Sequence, residues 1–341
     1  MPDKIEVAVV GATGYTGQEL LKLLFRRDDL EVLCVTSESS AGLPLAQAAP
    51  SLQRQKPMTL EKADPEAIAS KAQVAFLCLP HGKAMDMAGA LLDKGLKVFD
   101  LSADFRLKNP ALYNEWYGME HSAKHLLERA VYGLPELFRE KITQTDLVAV
   151  PGCYPTSVIL AMAPLVKFPG LETDVITVNA SSGVSGAGRT AKESLMYAEL
   201  DGDYYAYGAP THRHTAEMEQ QLGDCAGRPL RVAFIPHLLP ATRGIYSTIT
   251  VRTAEGVTEE DLHKELAGFY ENERFVTVVK GFPQMKWAAG TNAAFIGVKV
   301  DKRARMAIIA SAIDNLIKGA SGQAVQCFNI AHGIDETKGL E

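Results

Sequence analysis

Cys153 is the residue that the sequence places best to act as a nucleophile. It follows Pro151 and Gly152, which favour a sharp turn after the short apolar segment 147–150, and a helical pattern follows it. The positive end of a helix dipole lowers the pKa of a thiol at that position, and a thiolate is the reactive form. Two interpretations stay open at this stage: a nucleophilic thiolate, or a small buried side chain in a strand-to-helix turn.

The other cysteines are Cys34, Cys78, Cys225 and Cys327, and no two of the five lie closer than 44 residues. This spacing excludes a CxxC redox or zinc motif. We expect free thiols in a reducing cytosol. Cys34 and Cys78 lie in apolar strand segments, where burial should raise the pKa.

A second candidate for chemistry is the segment that contains His212, His214 and Glu217. His214 and Glu217 are three residues apart, so they share one face of a helix. A carboxylate can orient an imidazole and raise its basicity, which suits a general acid or base. The alternative is a helix N-terminus capped by Thr215 with solvated charges. Two histidines are too few ligands for zinc.

Three glycines follow the first apolar segment in the pattern Gly11-x-x-Gly14-x-x-Gly17. Thr13 stands where the usual dinucleotide motif has its middle glycine. Glycines let a backbone approach a pyrophosphate closely, and the N–H groups of a helix N-terminus bind it. The position of this turn after a strand predicts a dinucleotide site rather than a plain tight turn.

The end of the second strand bears on the choice between NAD and NADP. An NAD-specific site typically has an acidic residue there for the ribose hydroxyls. Residues 36–40 carry hydroxyls, which suit a 2′-phosphate, but Glu38 lies among them. We expect NADP(H), with NAD as the alternative.

Two arginines are candidates for anion binding. Arg106 follows Ser102 and Asp104 at the carboxyl end of a predicted strand, where α/β sheets bind ligands. It could hold a phosphate or form an ion pair with Asp104. Arg189 ends a loop of small residues, 182–188, and could hold a carboxylate.

The predicted elements form two groups. The first 105 residues alternate strand, turn and helix, which predicts a doubly wound parallel sheet. From Val175 onward, alternating β-like segments predict a mixed or antiparallel sheet. Residues 257–270 are predicted to be an amphipathic helix within it, with a capping box. Residues 306–318 are predicted to be helical and 110–129 to be a surface excursion.

The fold class is therefore α/β: a Rossmann-type doubly wound parallel sheet plus an α+β catalytic domain with a mixed or antiparallel sheet. We predict an NADP-binding domain over 1–150, completed by the C-terminal segment 313–341. Residues 151–312 are predicted to form the catalytic, substrate and oligomerisation domain.

Composition excludes several classes of protein. The 341 residues are 47% hydrophobic and 22% charged, with a net charge of −6, which is typical of a globular chain. A weakly acidic chain lacks the electrostatic footprint of a nucleic-acid binder, and we expect neither a nucleic-acid nor a membrane partner. No apolar run reaches the roughly 20 residues of a membrane helix. We expect a cytoplasmic protein without a metal, in which His121 and His125 are surface residues.

Taken together, these motifs resemble the N-acetyl-γ-glutamyl-phosphate reductases, NADP-dependent enzymes of arginine biosynthesis in the semialdehyde dehydrogenase superfamily. The likeness runs nearly the whole length of the chain. The related aspartate-semialdehyde dehydrogenases have Gly-Cys-Asn around the nucleophile, whereas Tyr154 follows Cys153 here. The matching segments are 11–17, 79–82, 101–106, 132–136, 151–156, 182–189, 212–217 and 318–326.

The resemblance implies a mechanism. Cys153 would attack the γ-acyl phosphate and expel phosphate, NADPH would reduce the resulting thioester to an aldehyde, and His214 would supply the proton, with Glu217 as a further catalytic residue. Arg106, Arg189 and His212 would bind the substrate or phosphate. The residues implied for NADP(H) binding are Gly11, Thr13, Gly14, Tyr15, Thr16, Gly17, Ser37, Ser39, Ser40, Pro80, Ser102, Ser182, Gly183, Gly186 and Asn329.

Two other functions remain open from the sequence. One is reduction of a homologous aminoadipyl phosphate that is one carbon longer, because composition does not fix pocket length. The other is a non-catalytic NADP sensor, which would have no need of Cys153, His214 and Glu217. The expected partners are a small acyl-phosphate substrate, inorganic phosphate and further copies of the chain in a dimer or tetramer.

Overall fold

A computed structural model describes residues 4–341, which separate into two compact units. The first unit comprises the chain up to Pro151 together with Ala320–Glu341, and the second comprises Gly152–Gly319. Among the described residues, no helix is long and apolar enough to cross a membrane. Over the same residues, no cluster of His, Cys, Asp and Glu side chains could hold a metal ion.

The strands and helices alternate through most of the first unit and then follow a less regular order. The strands are β1 (Ile5–Val10), β2 (Leu30–Thr36), β3 (Val74–Leu77), β4 (Lys97–Asp100), β5 (Val131–Tyr132), β6 (Leu147–Ala149), β7 (Leu171–Gly183), β8 (Tyr205–Ala206), β9 (Arg231–Leu239), β10 (Ile245–Thr253), β11 (Val276–Val279), β12 (Ala294–Asp301) and β13 (Met306–Ile313). The α-helices are α1 (Tyr15–Leu24), α2 (Leu45–Ala48), α3 (Pro65–Ala69), α4 (Ala84–Asp93), α5 (Ala111–Tyr117), α6 (Pro135–Gln144), α7 (Cys153–Met162), α8 (Tyr197–Leu200), α9 (His214–Ala226), α10 (Glu259–Phe269), α11 (Met285–Ala288) and α12 (Gly322–Ala331).

The first unit is built on a parallel sheet with strand order β2-β1-β3-β4-β6-β5. Its central strands are short and apolar because they are buried on both faces, as parallel strands usually are. The chain order reverses between β1 and β3, and ligands of such sheets bind at the carboxyl ends of the strands at that point. The predicted Rossmann-type fold is confirmed.

The second unit is built on a mixed sheet with strand order β11-β12-β13-β10-β7-β9-β8. The long strands β7, β9 and β10 alternate buried and exposed residues, so one face of the sheet is packed and the other is largely open. Helix α10 begins at the predicted place, because the Thr258 hydroxyl accepts the Asp261 N–H and the Asp261 carboxylate accepts the Thr258 N–H.

The prediction of a helix over 306–318 is wrong. Residues 306–313 form strand β13, which pairs antiparallel with both β10 and β12. Its run of alanine and isoleucine fits either structure locally, and pairing with two neighbouring strands decides between them. A turn of π-helix over Ile317–Ser321 follows the strand.

The prediction of a surface excursion over 110–129 is wrong in part. Helix α5 lies there, and Tyr113 and His121 are buried with their rings 4.6 Å apart. The Tyr113 hydroxyl accepts the Leu107 N–H, and His121 Nε2 lies 2.6 Å from the carbonyl oxygen of Asp104. His121 is therefore a packed residue, since its ring and that hydrogen bond anchor the excursion to the turn after β4.

Candidate active site

Cys153 is the first residue of α7, and it is partly exposed. Gly152 precedes it in an extended conformation and leaves the first turn of the helix without a side-chain cap. The free N–H groups of such a turn stabilise a thiolate more than a thiol. The rest of α7 is buried, so the sulfur sits at the end of a fixed helix.

The other cysteines lie in unreactive surroundings. Burial raises the pKa of the Cys34 thiol to about 11, and it raises those of Cys78 and Cys225 as well. The rise predicted for Cys34 and Cys78 is confirmed. Cys327 is fully buried and donates to the Gly133 carbonyl oxygen.

Gly319, in the π-helical turn after β13, packs against Cys153. A Cβ atom on this glycine would lie 2.8 Å from Cys153 Cβ and 3.2 Å from the Asp314 carbonyl oxygen. Real Cβ contacts are essentially never shorter than 3.0 Å. The absence of a side chain at Gly319 therefore lets the π-helical turn approach Cys153.

His212 and His214 lie with their ring centres 4.9 Å apart at the start of α9. Burial, with the charge of Arg213, lowers the pKa of His212 to about 4, so His212 is neutral near pH 7. Its Nδ1 accepts the backbone N–H of His214 at 3.2 Å. His212 thus holds the turn that presents the His214 ring.

Glu217 is fully buried, and its Oε1 accepts the backbone N–H of Gly152 at 2.8 Å. This contact joins α9 to the residue just before Cys153, so Glu217 fixes the turn that carries Cys153. That the same carboxylate orients His214 stays a prediction.

A buried tyrosine links these elements. Tyr154 lies edge-on to the rings of His212 and His214, with ring centres 5.8 and 6.0 Å away. Its hydroxyl is 3.1 Å from that of Tyr207 and donates to the carbonyl oxygen of His237. Burial raises the pKa of Tyr207 to about 12, so that phenol stays protonated at neutral pH. Tyr207 was missed from the sequence because no local pattern places it beside Tyr154.

The loop after β7 contains Ser182, Gly183, Gly186 and Arg189. Ser182 is buried and donates to the Gly183 carbonyl oxygen, while Gly186 and Arg189 are exposed. A Cβ on Gly183 would lie 2.7 Å from the backbone nitrogen of Arg243, so only glycine lets these two loops meet. Two of the predicted residues, Gly186 and Arg189, are thus accessible to a ligand in the second unit.

In the first unit, the turn between β1 and α1 leaves no room for a Cβ at Gly11 or Gly17. Gly11 has φ +87°, and a Cβ on it would lie 2.3 Å from the Cys78 carbonyl oxygen. A Cβ on Gly17 would lie 2.5 Å from the Gly11 carbonyl oxygen. Helix α1 starts after Gly14 without a side-chain cap, and Tyr15 and Thr16 form its accessible first turn. This backbone cradle fits the pyrophosphate of a dinucleotide.

The end of β2 lies beside this turn. The hydroxyls of Thr13 and Ser37 are 3.0 Å apart, and Ser39 and Ser40 lie in the more exposed turn beyond. The carboxylate of Glu38 accepts the Ala63 N–H at 3.1 Å. Glu38 is therefore engaged with a neighbouring segment.

At the carboxyl end of β4, Arg106 is buried and donates to the carbonyl oxygens of Val150 at 2.7 Å and Leu101 at 3.0 Å. The Asp104 carboxylate accepts the N–H groups of Gly82 and Ala84 at 2.7 and 2.9 Å. Asp104 therefore caps α4.

Three further residues predicted to bind NADP(H) are Pro80, Ser102 and Asn329. Pro80, which follows β3, is exposed. The side chains of the other two form hydrogen bonds within the protein. The Ser102 hydroxyl is buried and donates to Asp100. The amide of Asn329 is fully buried, where it accepts from Arg27 and donates to two carbonyl oxygens, those of residues 336 and 338. These side chains support the β4 turn and the C-terminal segment, and the NADP(H) contacts predicted for the two residues stay predictions.

Comparison with known proteins decides the family. Residues 6–145 match the family described as "Semialdehyde dehydrogenase, NAD binding domain", and residues 153–315 match "Semialdehyde dehydrogenase, dimerisation domain". The N-acetyl-gamma-glutamyl-phosphate reductase of Desulforamulus reducens is 47% identical over 99% of this chain and 98% of its own. That of Crocosphaera subtropica is 45% identical over 99% and 97%.

The chain belongs to the N-acetyl-gamma-glutamyl-phosphate reductase family. The resemblance stated from the sequence is thereby confirmed, and the chain is an oxidoreductase with an NAD(P)-binding domain. Membership also favours an enzyme over a non-catalytic sensor.

Solved structures of semialdehyde dehydrogenases share the fold of this reductase family member. Aspartate semialdehyde dehydrogenase II from Vibrio cholerae, complexed with ASA, matches with a TM-score of 0.74 at 18% identity, over 97% of this chain and 99% of that one. The enzyme from Candida albicans with NADP matches with a TM-score of 0.70 at 17% identity, over 97% and 99%.

Proposed function

We propose that the chain reduces N-acetyl-γ-glutamyl phosphate to N-acetylglutamate 5-semialdehyde with NADPH and releases inorganic phosphate, as a step of arginine biosynthesis. The observation that carries the proposal is the position of Cys153, which is partly exposed at a helix N-terminus without a side-chain cap and follows Gly152, whose N–H is held by Glu217. The names of relatives at 45–47% identity supply the substrate.

The first step forms a thioester. The Cys153 thiolate attacks the γ-acyl carbon, the bond from that carbon to the phosphate oxygen breaks, and phosphate leaves with the bonding electrons. The helix N-terminus stabilises the thiolate, and Glu217 holds its turn in place. A thioester accepts a hydride, whereas a carboxylate does not, which explains why a covalent intermediate is needed.

The second step yields the aldehyde. NADPH, when bound, supplies the hydride that reduces the thioester carbonyl. His214 donates a proton to the oxyanion that develops, then accepts it back as the carbon–sulfur bond breaks and the Cys153 thiolate is released. General acid help of this kind typically contributes about 10² to 10⁴ in rate. Neutral His212 and buried Tyr154 hold the His214 ring for this transfer.

Cofactor binding is proposed for the backbone cradle from Gly11 to Gly17 and for Ser37, Ser39 and Ser40 beyond β2. The engagement of Glu38 with Ala63 supports NADP over NAD, because it leaves hydroxyl and N–H groups to meet a 2′-phosphate. In the loop after β7, Ser182, Gly183 and Gly186 are proposed to contact the cofactor. The small side chains of that loop support the proposal.

Anion binding is proposed for Arg106, Arg189 and His212. Arg106 would hold the leaving phosphate, and the exposed Arg189 would hold a substrate carboxylate. His212 lies beside His214 in the second unit and would contact the substrate there.

We further propose that the open face of the second unit's sheet packs against a second copy of the chain in a dimer. Val175 of β7 and Tyr204, just before β8, are each more than half exposed. Thr177 of β7 lies on the same face as Val175, beside Ala233 of β9. The description of the matched family as a dimerisation domain supports this. A Val175→Glu chain that elutes as a monomer in light scattering would support the interface, and an unchanged dimer would reject it.

One assay tests the proposed reaction. The purified chain is given NADP, phosphate and either N-acetylglutamate semialdehyde or its aminoadipate homologue, and reduction of NADP is followed. We expect phosphate-dependent turnover with the first substrate and little with the second. Preference for the longer substrate would assign the homologous reaction, and NADP binding without turnover would indicate a sensor.

A further inference from the structure

The residues Asp314 and Asn315 lie at the end of β13, where the chain turns from the sheet into the π-helical turn. Both are buried, with 0% and 2% of their surface exposed. Neither was singled out by the sequence. Their side chains nevertheless hold several separate segments of the second unit together.

Asn315 holds the glycine-rich loop after β7. Its Oδ1 accepts the Gly244 N–H at 2.7 Å, and its Nδ2 donates to the Ser185 hydroxyl at 2.9 Å. The two loops are also joined by backbone, because Gly183 N–H donates to the Gly244 carbonyl oxygen at 2.9 Å. One amide side chain therefore sets the position of the loop over residues 183–186.

Asp314 holds the turn that packs on the nucleophile. Its Oδ1 accepts the N–H groups of Leu316 and Ile317, and its carbonyl oxygen accepts the Gly319 N–H at 2.9 Å. Its Oδ2 accepts the Gly290 N–H and lies 3.1 Å from Arg243 Nε. Gly319 lies so close to Cys153 that a Cβ on this glycine would be 2.8 Å from Cys153 Cβ.

We infer that Asn315 is a positioning residue for the cofactor-dependent half of the reaction, while the turn from Asp314 to Gly319 positions the sulfur for the acylation half. The inference rests on the proposed function, in which the loop from Ser182 to Gly186 contacts NADPH. Neither Asp314 nor Asn315 touches the reacting atoms in this role. Asn315 thus supports hydride transfer from NADPH, and its neighbour Asp314 supports acylation of Cys153.

The experiment measures each half-reaction separately in the full-length chain. Acylation is followed as phosphate released from N-acetylglutamyl phosphate in a single turnover without cofactor. The cofactor-dependent half is followed by measuring the dissociation constant and the KM of NADPH. Asn315→Ala should leave acylation unchanged and raise the KM of NADPH by about tenfold, because two neutral hydrogen bonds to the loop supports are lost. Ser185→Ala, which removes one of them, should raise it by about threefold.

Gly319→Ala should show the opposite split, with slower acylation and unchanged NADPH affinity. Tyr270→Phe is the matched control, because it also removes a buried hydrogen bond of the second unit, that from Tyr270 to the Leu160 carbonyl oxygen at 2.6 Å. It should lower the melting temperature without splitting the half-reactions. If Asn315→Ala fails to fold, Ser185→Ala alone tests the cofactor-dependent half.

Equal loss of both half-reactions in Asn315→Ala, no change in either, or the same split in Tyr270→Phe would overturn the inference. Failure of the proposed function would give a different experimental result. The parent chain would then release no phosphate in the acylation arm, whereas the dissociation constant of NADPH would still report on Asn315.

Discussion

The turn over residues 11–17 offers mainly backbone to the proposed cofactor, whereas the proposed catalytic site around Cys153 offers side chains. In the turn, Gly11 and Gly17 exclude any Cβ, and the proposed binding groups are N–H groups of the first turn of α1. In the catalytic site, Cys153, His214 and Glu217 would each act through one functional group. A site made of backbone is damaged by atoms that are added, and a site made of side chains is damaged by atoms that are removed.

After the loss of Cys153 itself, the largest effect is expected for His214→Asn, which removes the proposed proton donor. Turnover should fall by about 10² to 10⁴, because general acid catalysis is lost. NADP(H) affinity should stay as it is, since the turn of the first unit is untouched. Steady-state kinetics and equilibrium binding measure the two effects. Full turnover in this variant would remove His214 from the mechanism.

Gly11→Ala adds one carbon to the backbone site and should weaken NADP(H) binding by on the order of 10², because the new Cβ would clash with the Cys78 carbonyl oxygen and φ is +87°. Formation of the thioester should survive. Gly42→Ala is the matched control, since Gly42 also has φ +87° but nothing within 4 Å of its Cβ position. Equal losses in the two variants would assign the effect to backbone strain alone.

Arg106→Lys tests a side chain of the first unit. Lysine keeps the charge but lacks the planar fork that reaches the Val150 and Leu101 carbonyl oxygens. The KM of phosphate in the reverse direction should rise by about tenfold. Arg139→Lys, which alters a partly exposed ion pair with Glu336, serves as control. A lower melting temperature with an unchanged phosphate KM would make Arg106 a structural brace.

Titration of His212 is expected to affect the stability of the fold rather than turnover. Its pKa is about 4 in the folded chain and near 6.5 unfolded, so the unfolded chain binds more protons between those values. Stability from this residue is complete above pH 6.5 and is lost as the pH falls towards 4, by up to about 3 kcal/mol. Urea unfolding at several pH values should show a shallower dependence in His212→Asn than in the parent. Identical slopes would contradict a partly buried His212 that is neutral at pH 7.

The same comparison explains what the sequence could predict. The dinucleotide turn lies within seven consecutive residues, so its glycine spacing and its place after an apolar strand were visible locally. Cys153 was visible for the same reason, since Pro151 and Gly152 mark its turn. The fold class followed from the alternation of strands and helices in the first 105 residues.

The supports of the proposed catalytic site were not visible, because they join residues far apart in the chain. Glu217 reaches the Gly152 N–H across 65 positions, and Asn315 reaches Ser185 across 130. Strand β13 was mistaken for a helix because its neighbours β10 and β12, and not its own sequence, decide its conformation. The sequence also did not show that Ser102 and Asn329 are buried, with side chains that form hydrogen bonds inside the protein.

The central claim is that Cys153 alone among the five cysteines carries the acyl group. The most direct test is mass spectrometry of the chain incubated with N-acetylglutamyl phosphate in the absence of NADPH, followed by peptide mapping. The account predicts one acyl adduct, on the peptide that contains Cys153, and none in Cys153→Ser, which should also lose nearly all turnover. An adduct on Cys34, Cys78 or another cysteine, or full activity in Cys153→Ser, would contradict it.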